Sequence, residues 1–502
     1  MIHRTRLLLQ PFARTAVAWS TATILLLAVL PGCALRLPPA DSSGLGTMTV
    51  PTGWTLHAGS ETSGATSPTS LSSWWQRFDD PTLDALVTQS QQANTSIRSA
   101  QSALRQARAL RDLASAALWP GIGYSASVQH GTAGGHSAGS SFQAGLDASW
   151  VPDVFGANRS ALEASRATLD ATAADLGDLQ VAVAAEVGLN YLLLRTAQAR
   201  LGIARDNLAS QRETWQITQW RQQAGLVTVL EAEQARAAAE QTAALLPALQ
   251  TSIEQTRHAL AVLLGQPPAT RSPLFARLDE SAPIPRAPEE LALAIPAETL
   301  RQRADVRAAE SQVRAAWARV AQADAGRFPG FALGGSFGWN AATLGSLANG
   351  SSVVSSLLAS VTGPLFDAGS ARAQVRAQEA AYEQARVAYQ ATVLAALKDV
   401  EDALVALRGD RQRLVSLSSA SDAAARAATL ARQRFSSGLV DFQVVLETQR
   451  TQFSAQDSVA SATADIGADQ VRLFTSLGGG WRDDRDDDAL ASSTRTQRTS
   501  RP

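Results

Sequence analysis

Three stretches of the chain alternate in steps of two. Phe331, Leu333, Gly335, Phe337 and Trp339 interleave with Ala332, Gly334, Ser336, Gly338 and Asn340. Earlier, Ile122, Tyr124, Ala126 and Val128 interleave with Gly123, Ser125, Ser127 and Gln129. Phe142, Ala144, Leu146, Ala148 and Trp150 do the same against Gln143, Gly145, Asp147 and Ser149. A period of two puts large apolar groups on one face of a strand and small or polar groups on the other. The pattern predicts a strand pair within 121–151, joined by a Gly/Ser/His loop at 130–140. A second pair spans 331–340 and 353–361, although Val353–Val361 alternates poorly. Strands of about ten residues with aromatic ends suit a membrane β-barrel.

Between these islands the pattern is helical and long. Asp80 followed by Pro81 starts a helix as cap and first residue. From Thr82 to Leu118 there is no Gly or Pro, which predicts one helix of about 37 residues, about 55 Å long. Residues 157–222 read as nearly one helix on the order of 100 Å. A turn at Gly225 follows, then a helix from 227 to 264 that Pro247 is placed to kink. Residues 265–289 hold six prolines and read as a linker. A further long helix fits 369–435, a turn fits Ser436–Leu439 around Gly438, and a last helix fits 440–477.

The second half repeats the first. Ile97-Arg98 is echoed by Val306-Arg307, Pro120-Gly121 by Pro329-Gly330, Phe155 by Phe366 and Gly225 by Gly438, at offsets of 209, 209, 211 and 213. One interleaved fold built by internal duplication is therefore expected. Its four transmembrane strands cannot close a barrel, and an open edge cannot face lipid. Two copies would give eight strands and three would give twelve; twelve is favoured if the interior passes solutes. Ala-rich helices laced with Arg, Gln, Asp and Glu suit coiled-coil-like packing on narrow small-residue seams, not membrane spans. The fold class is thus mainly α with a small transmembrane β part. The parts combine into an oligomeric membrane tube with a periplasmic extension.

Charge and cysteine narrow the setting. A net charge of −1 over 502 residues gives no reason to expect a nucleic-acid partner. The single cysteine excludes an intrachain disulfide framework and a Cys-based zinc site. Arg4, Arg6 and Arg14 precede an apolar run ending in Leu30-Pro31-Gly32-Cys33, too short for a comfortable span but suited to a signal peptide. The run resembles a bacterial lipoprotein lipobox, with Pro31 standing where a small residue is usual. The resemblance implies that Cys33 is lipidated and begins the mature chain. Ala34 follows it where Asp would favour inner-membrane retention, so the outer membrane is the expected destination.

The chain resembles the outer-membrane efflux proteins of the TolC type, in their lipoprotein branch of resistance-nodulation-division (RND) outer-membrane factors (NodT-like). The carrying motifs are Trp74-Trp75-Gln76-Arg77-Phe78-Asp79-Asp80, Arg303-Ala304-Asp305-Val306-Arg307-Ala308-Ala309-Glu310 and Pro364-Leu365-Phe366-Asp367-Ala368-Gly369. Arg434-Phe435-Ser436-Ser437-Gly438 and Leu477-Gly478-Gly479-Gly480-Trp481 complete the set. The resemblance implies a homotrimer with a 12-stranded β-barrel, four strands per chain, continued by a long periplasmic α-helical barrel. It also implies a periplasmic adaptor, an inner-membrane RND transporter and small-molecule substrates. The expected domains are a signal peptide at 1–32, an extended leader at 33–73 and a first repeat at 74–264. A linker at 265–289, a second repeat at 290–481 and a disordered tail at 482–502 follow. In similar ducts the helix after the second turn carries an acidic ring that constricts the periplasmic tip. The match falls on Glu447 for the acid, Arg450 for the base and Gln443 where a relative carries an apolar group; spacing of i, i+4 and i+7 puts all three on one helix face. A type I protein-secretion duct is the alternative of the same shape. A periplasmic adaptor would need a compact lipoyl-type segment, and none is found.

Three motifs point elsewhere and are set aside. Gly334-Gly335-Ser336-Phe337-Gly338 matches a nucleophile elbow but sits in an alternating strand, and the last histidine is His258. Gly121-Ile122-Gly123-Tyr124-Ser125-Ala126 resembles a dinucleotide fingerprint but opens a strand. His130 and His136 share a loop without a carboxylate or thiol partner, too little for a metal site. No catalytic set, metal site or cofactor is expected.

Overall fold

A computed structural model describes residues 53–55, 71–131, 139–270, 272–287, 300 and 303–481. The signal peptide, Cys33, His136, the tail at 482–502 and most of the leader lie outside the described residues. The elements in order are α1 (Pro81–Ala93), α2 (Thr95–Ala116), β1 (Gly121–Gly131), β2 (Gly139–Trp150), α3 (Ala157–Gln223), α4 (Val229–Leu263) and α5 (Pro273–Asp279). The second half adds α6 (Ala304–Ala325), β3 (Gly330–Ala341), β4 (Val353–Thr362), α7 (Ser370–Ser436) and α8 (Phe442–Ser476). Both long helices have 67 residues and both return helices 35.

The chain divides into two units. One holds 108–168 and 312–386, and with them the sheet. Its four strands run in the order β1-β2-β3-β4, every pair antiparallel. Phe155 stacks on Phe328 at 4.8 Å and leans on Phe331 at 6.2 Å.

The other unit holds 45–107, 169–311 and 387–502 and contains the main core. Trp74 is fully buried and stacks on Phe474 at 5.9 Å, with Phe78 edge-on to both. Asp80 caps α1 by accepting from the Thr82 and Leu83 amides, and its other oxygen accepts from Tyr191 Oη at 2.6 Å. Burial and this carboxylate push the Tyr191 phenol up to about 12. The buried Arg195 donates to Tyr191 Oη, Gln198 Oε1 and the carbonyls of Glu280 and Arg277, so each guanidinium nitrogen has a partner. Trp481 packs so closely on Gly177 that a Cβ there would lie 2.6 Å from its ring.

Narrow seams of buried Ala, Val and Leu hold the long helices. Ala164, Ala167, Ala171 and Ala174 are buried on α3 at steps of three and four. On α7, Val393, Ala396, Val400, Ala403 and Leu407 follow the same step. This is the heptad spacing of a coiled-coil seam, and its narrowness leaves the other faces for solvent.

Two expectations are corrected. The single helix from Thr82 to Leu118 is broken at Asn94, whose ψ of 131° leaves the helical region. Asn94 Oδ1 accepts from the Ser96 and Ile97 amides and caps α2, while Nδ2 donates to the Leu263 carbonyl at the end of α4. Nearby, Gly265 has φ +67°, and a Cβ on it would meet the Ala93 carbonyl. The linker, secondly, contains a helix, α5: Ser272 caps it and Pro273 opens it. Its Phe275 and Leu278 are buried in the core. Pro247 does not interrupt α4.

Candidate functional site

The sheet has two unlike faces. In register, Ile122 pairs with Ala148, Gly335 with Ala148 and Leu357 with Gly335. Tyr124, Leu146 and Phe337 align in the next apolar row. The opposite face aligns Gly123, Asp147, Ser336 and Ser356. Large apolar side chains stand open: Tyr124 is 89% exposed and Leu357 88%. Apolar groups at that exposure suit hydrocarbon, not water. The weak alternation of β4 has a simple cause. Val354 and Leu358 fall on the polar face and Ser355 on the apolar one, while the register keeps β4 paired from Val353 to Thr362. Gly338 is required where it stands: a Cβ there would lie 2.5 Å from the Ala144 carbonyl. Among the described residues no helix is long and apolar enough to cross a membrane.

The second candidate region surrounds the two turns. Gly225 and Gly438 have φ of +72° and +75°, so both occupy the left-handed region that glycine enters without a Cβ penalty. In each, the glycine amide and the amide after it bond back to carbonyls of the ending helix: Gly225 to Gln222 and Leu226 to Arg221, Gly438 to Phe435 and Leu439 to Arg434. This is a Schellman closure, which satisfies carbonyls the helix leaves bare. Thr228 and Glu231 then restart the first turn with a capping box. Arg221 ties the turns together. Its guanidinium lies 4.5 Å from the centre of the Phe435 ring and donates to the Phe435 and Ser436 carbonyls. Below it Phe435, Phe442, Val445 and Leu446 form a small buried cluster with Ala235 and Ala238.

Gln443, Glu447 and Arg450 share the exposed side of α8. The other side carries the buried Phe442, Val445, Leu446 and Gln449, and Gln449 Nε2 donates to Thr214 Oγ1 at 3.0 Å. The helix is thereby held by its inner side, and the three polar groups stand free of the chain's own core. Among the described residues no hydrogen bond or ion pair joins Glu447 to Arg450. Sequence reasoning passed over Arg221 as a tie between turns. Nor did it single out Asp147, although the signal was available: none of the four strands has another Asp, Glu, Lys or Arg.

Two motifs set aside from sequence are strand segments. Ser336 lies in mid-strand and shares a hydrogen bond with Ser356 at 2.7 Å, and Gly121–Ala126 lies in β1. His130 bonds to Ser140 Oγ at 3.0 Å. Among the described residues no group of three or more metal-ligating side chains gathers.

Comparison with known proteins gives a consistent picture. The model of the family described as outer membrane efflux protein matches residues 86–266 and again 295–479. The pyoverdine export outer membrane protein OpmQ of Pseudomonas putida is 33% identical over 427 residues, covering 82% of this chain and 88% of that protein. Nodulation protein T of Rhizobium leguminosarum bv. viciae is 30% identical over 412 residues, covering 82% and 85%. Among solved structures, the outer-membrane channel OprN superposes with a TM-score of 0.77 at 37% identity, covering 82% of this chain and 93% of that one.

Proposed function

The chain belongs to the outer membrane efflux protein family, and from that footing we propose that three copies close one pore that receives small molecules from a periplasmic adaptor and an inner-membrane RND transporter. The protein is an outer-membrane efflux channel, and its family is one of ducts and not of catalysts. The observation that carries the assembly is the two-faced sheet with two free edges. β1 and β4 have no strand partner beyond β2 and β3 among the described residues. Such edges cannot stay open in hydrocarbon, because their amides and carbonyls would go unpaired. Inside the chain, β2 of the first repeat pairs with β3 of the second. By the same repeat logic, β4 of one copy pairs with β1 of the next. Three copies then give twelve strands, wide enough for a watery interior, where eight would be filled by side chains.

The apolar face of this barrel meets the lipid and the polar face lines the pore. Gln443, Glu447 and Arg450 form the constriction at the periplasmic tip, supported by their common exposed side just beyond the Gly438 turn. Cys33 carries the lipid, and residues 74–264 and 290–481 act as the two repeats joined by the linker at 265–289. Small-molecule efflux is favoured over protein secretion because the similar OpmQ is named for export of pyoverdine. Mass measurement of the detergent-extracted complex tests the assembly. Three copies are expected; two copies, or a stable monomer with full β content, would overturn it.

A further inference from the structure

We infer that Asp147 is a charge-selecting residue of the pore, a fixed anionic site on the barrel wall that favours cationic over anionic solutes. The inference rests on reading the sheet as a pore wall.

Across β1 to β4, Asp147 is the lone carboxylate, and no Lys or Arg lies on any strand to neutralise it. It belongs to the polar face. In its register row stand Gly123, Ser336 and Ser356, while Leu146 and Ala148 beside it point to the apolar face. A carboxylate on the lipid side would be destabilising at membrane depth, so the face that bears it must be the wet one. Local geometry keeps it uncovered. Ser125 Oγ donates to Asp147 Oδ2 at 2.9 Å, which holds the carboxylate against the wall. Gly123 and Gly145 next to it have no side chain to bury it. Three copies set three such carboxylates at one height around the axis, among the hydroxyls of Ser336 and Ser356, which hydrogen-bond each other.

Such a site differs physically from a tight constriction. In a wide watery pore its field reaches a passing ion only through electrolyte. That reach is about 30 Å at 0.01 M salt, about 10 Å at 0.1 M and about 3 Å at 1 M. Selectivity from Asp147 must therefore be large in dilute salt and fade in concentrated salt. A ring of groups touching the ion would keep its preference throughout.

The test is the reversal potential of the full chain in planar bilayers under potassium chloride gradients. The parent should prefer potassium over chloride, and Asp147→Asn should reduce that permeability ratio at least about twofold near 0.01 M salt, with little change near 1 M. Asparagine keeps the shape and can still accept from Ser125, so assembly is preserved. Asp147→Glu and Ser125→Ala keep the charge and should keep the preference. An unchanged ratio in Asp147→Asn at low salt overturns the inference, and so does an equal loss in Ser125→Ala, which would mark a structural role. A chain that conducts neither as the parent nor as Glu447→Ala would instead remove the channel reading on which this one rests.

Discussion

Glu447 gains its meaning from what surrounds it on α8. The buried Phe442, Val445, Leu446 and Gln449 pin the inner side of the helix, and Glu447 projects from the other side between Gln443 and Arg450. On the proposed reading of α8 as the constricting element, three such carboxylates approach one axis in a threefold assembly. Their repulsion needs Arg450 or trapped cations to offset it. Under the proposed constriction the pore stays nearly shut until the turns are drawn apart. Glu447→Ala should raise single-channel conductance several-fold and lower cation preference at all salt concentrations. Conductance and preference both unchanged would move the constriction elsewhere. Neither effect depends on Asp147, which acts through the field in the barrel and not by closing the path.

Between elements, two acids lie close together on the two helices that flank the second turn. Asp469 of α8 is 2% exposed; its Oδ1 accepts from Arg472 at 2.9 Å, while Oδ2 has no donor. Burial raises its pKa from 3.8 to about 6, Arg472 opposes the rise, and the neighbouring Asp410 of α7 adds to it. The folded chain thus holds this proton more tightly than the unfolded chain does. The stability this provides is fully present below about pH 4 and is lost as pH rises through about 6. Asp469→Asn should therefore be more stable than the parent at pH 8, by about 1–3 kcal/mol, with the gap closing towards pH 4. Thermal unfolding of the detergent-extracted complex at the two pH values measures this; an equal offset at both would rule out titration of Asp469 as the cause.

At the same scale the sequence was most legible where one pattern ran long. The ends of α3, α4, α7 and α8 fall within about two residues of those read from Gly, Pro and capping signals. The break at Asn94 was not legible, because its cap is completed by a carbonyl at Leu263, far along the chain. The helix α5 hid in a proline-rich stretch, since Pro273 that looked like a breaker sits at a first helical position. β4 was blurred because Val354 and Leu358 break the alternation, and only pairing with β3 fixes its register. Of the candidate site, the common helix face of Gln443, Glu447 and Arg450 could be read from spacing alone, and its exposure could not. The tie made by Arg221 could not, because its partners lie more than 200 residues away.

For the whole molecule, four strands in one chain already demand other copies, so the assembly follows from a count and a rule about hydrocarbon. The anchor is a separate matter. A closed barrel holds itself in the membrane, and one lipid adds a second hold. Cys33→Ser should abolish palmitate labelling and leave assembly intact. Labelling that persists in that variant would move the modification off Cys33.

The matched helices also constrain how such a chain can change over generations. With 67 residues in α3 and α7 and 35 in α4 and α8, Arg221 meets the Phe435 and Ser436 carbonyls only while the lengths agree. Loss of one residue from α3 alone would draw its turn back by about 1.5 Å and swing it by about 100°. The guanidinium would then face the wrong way. A substitution on the outer side of either helix leaves this contact alone, whereas an insertion or deletion in one helix preserves it only if the other helix changes to match.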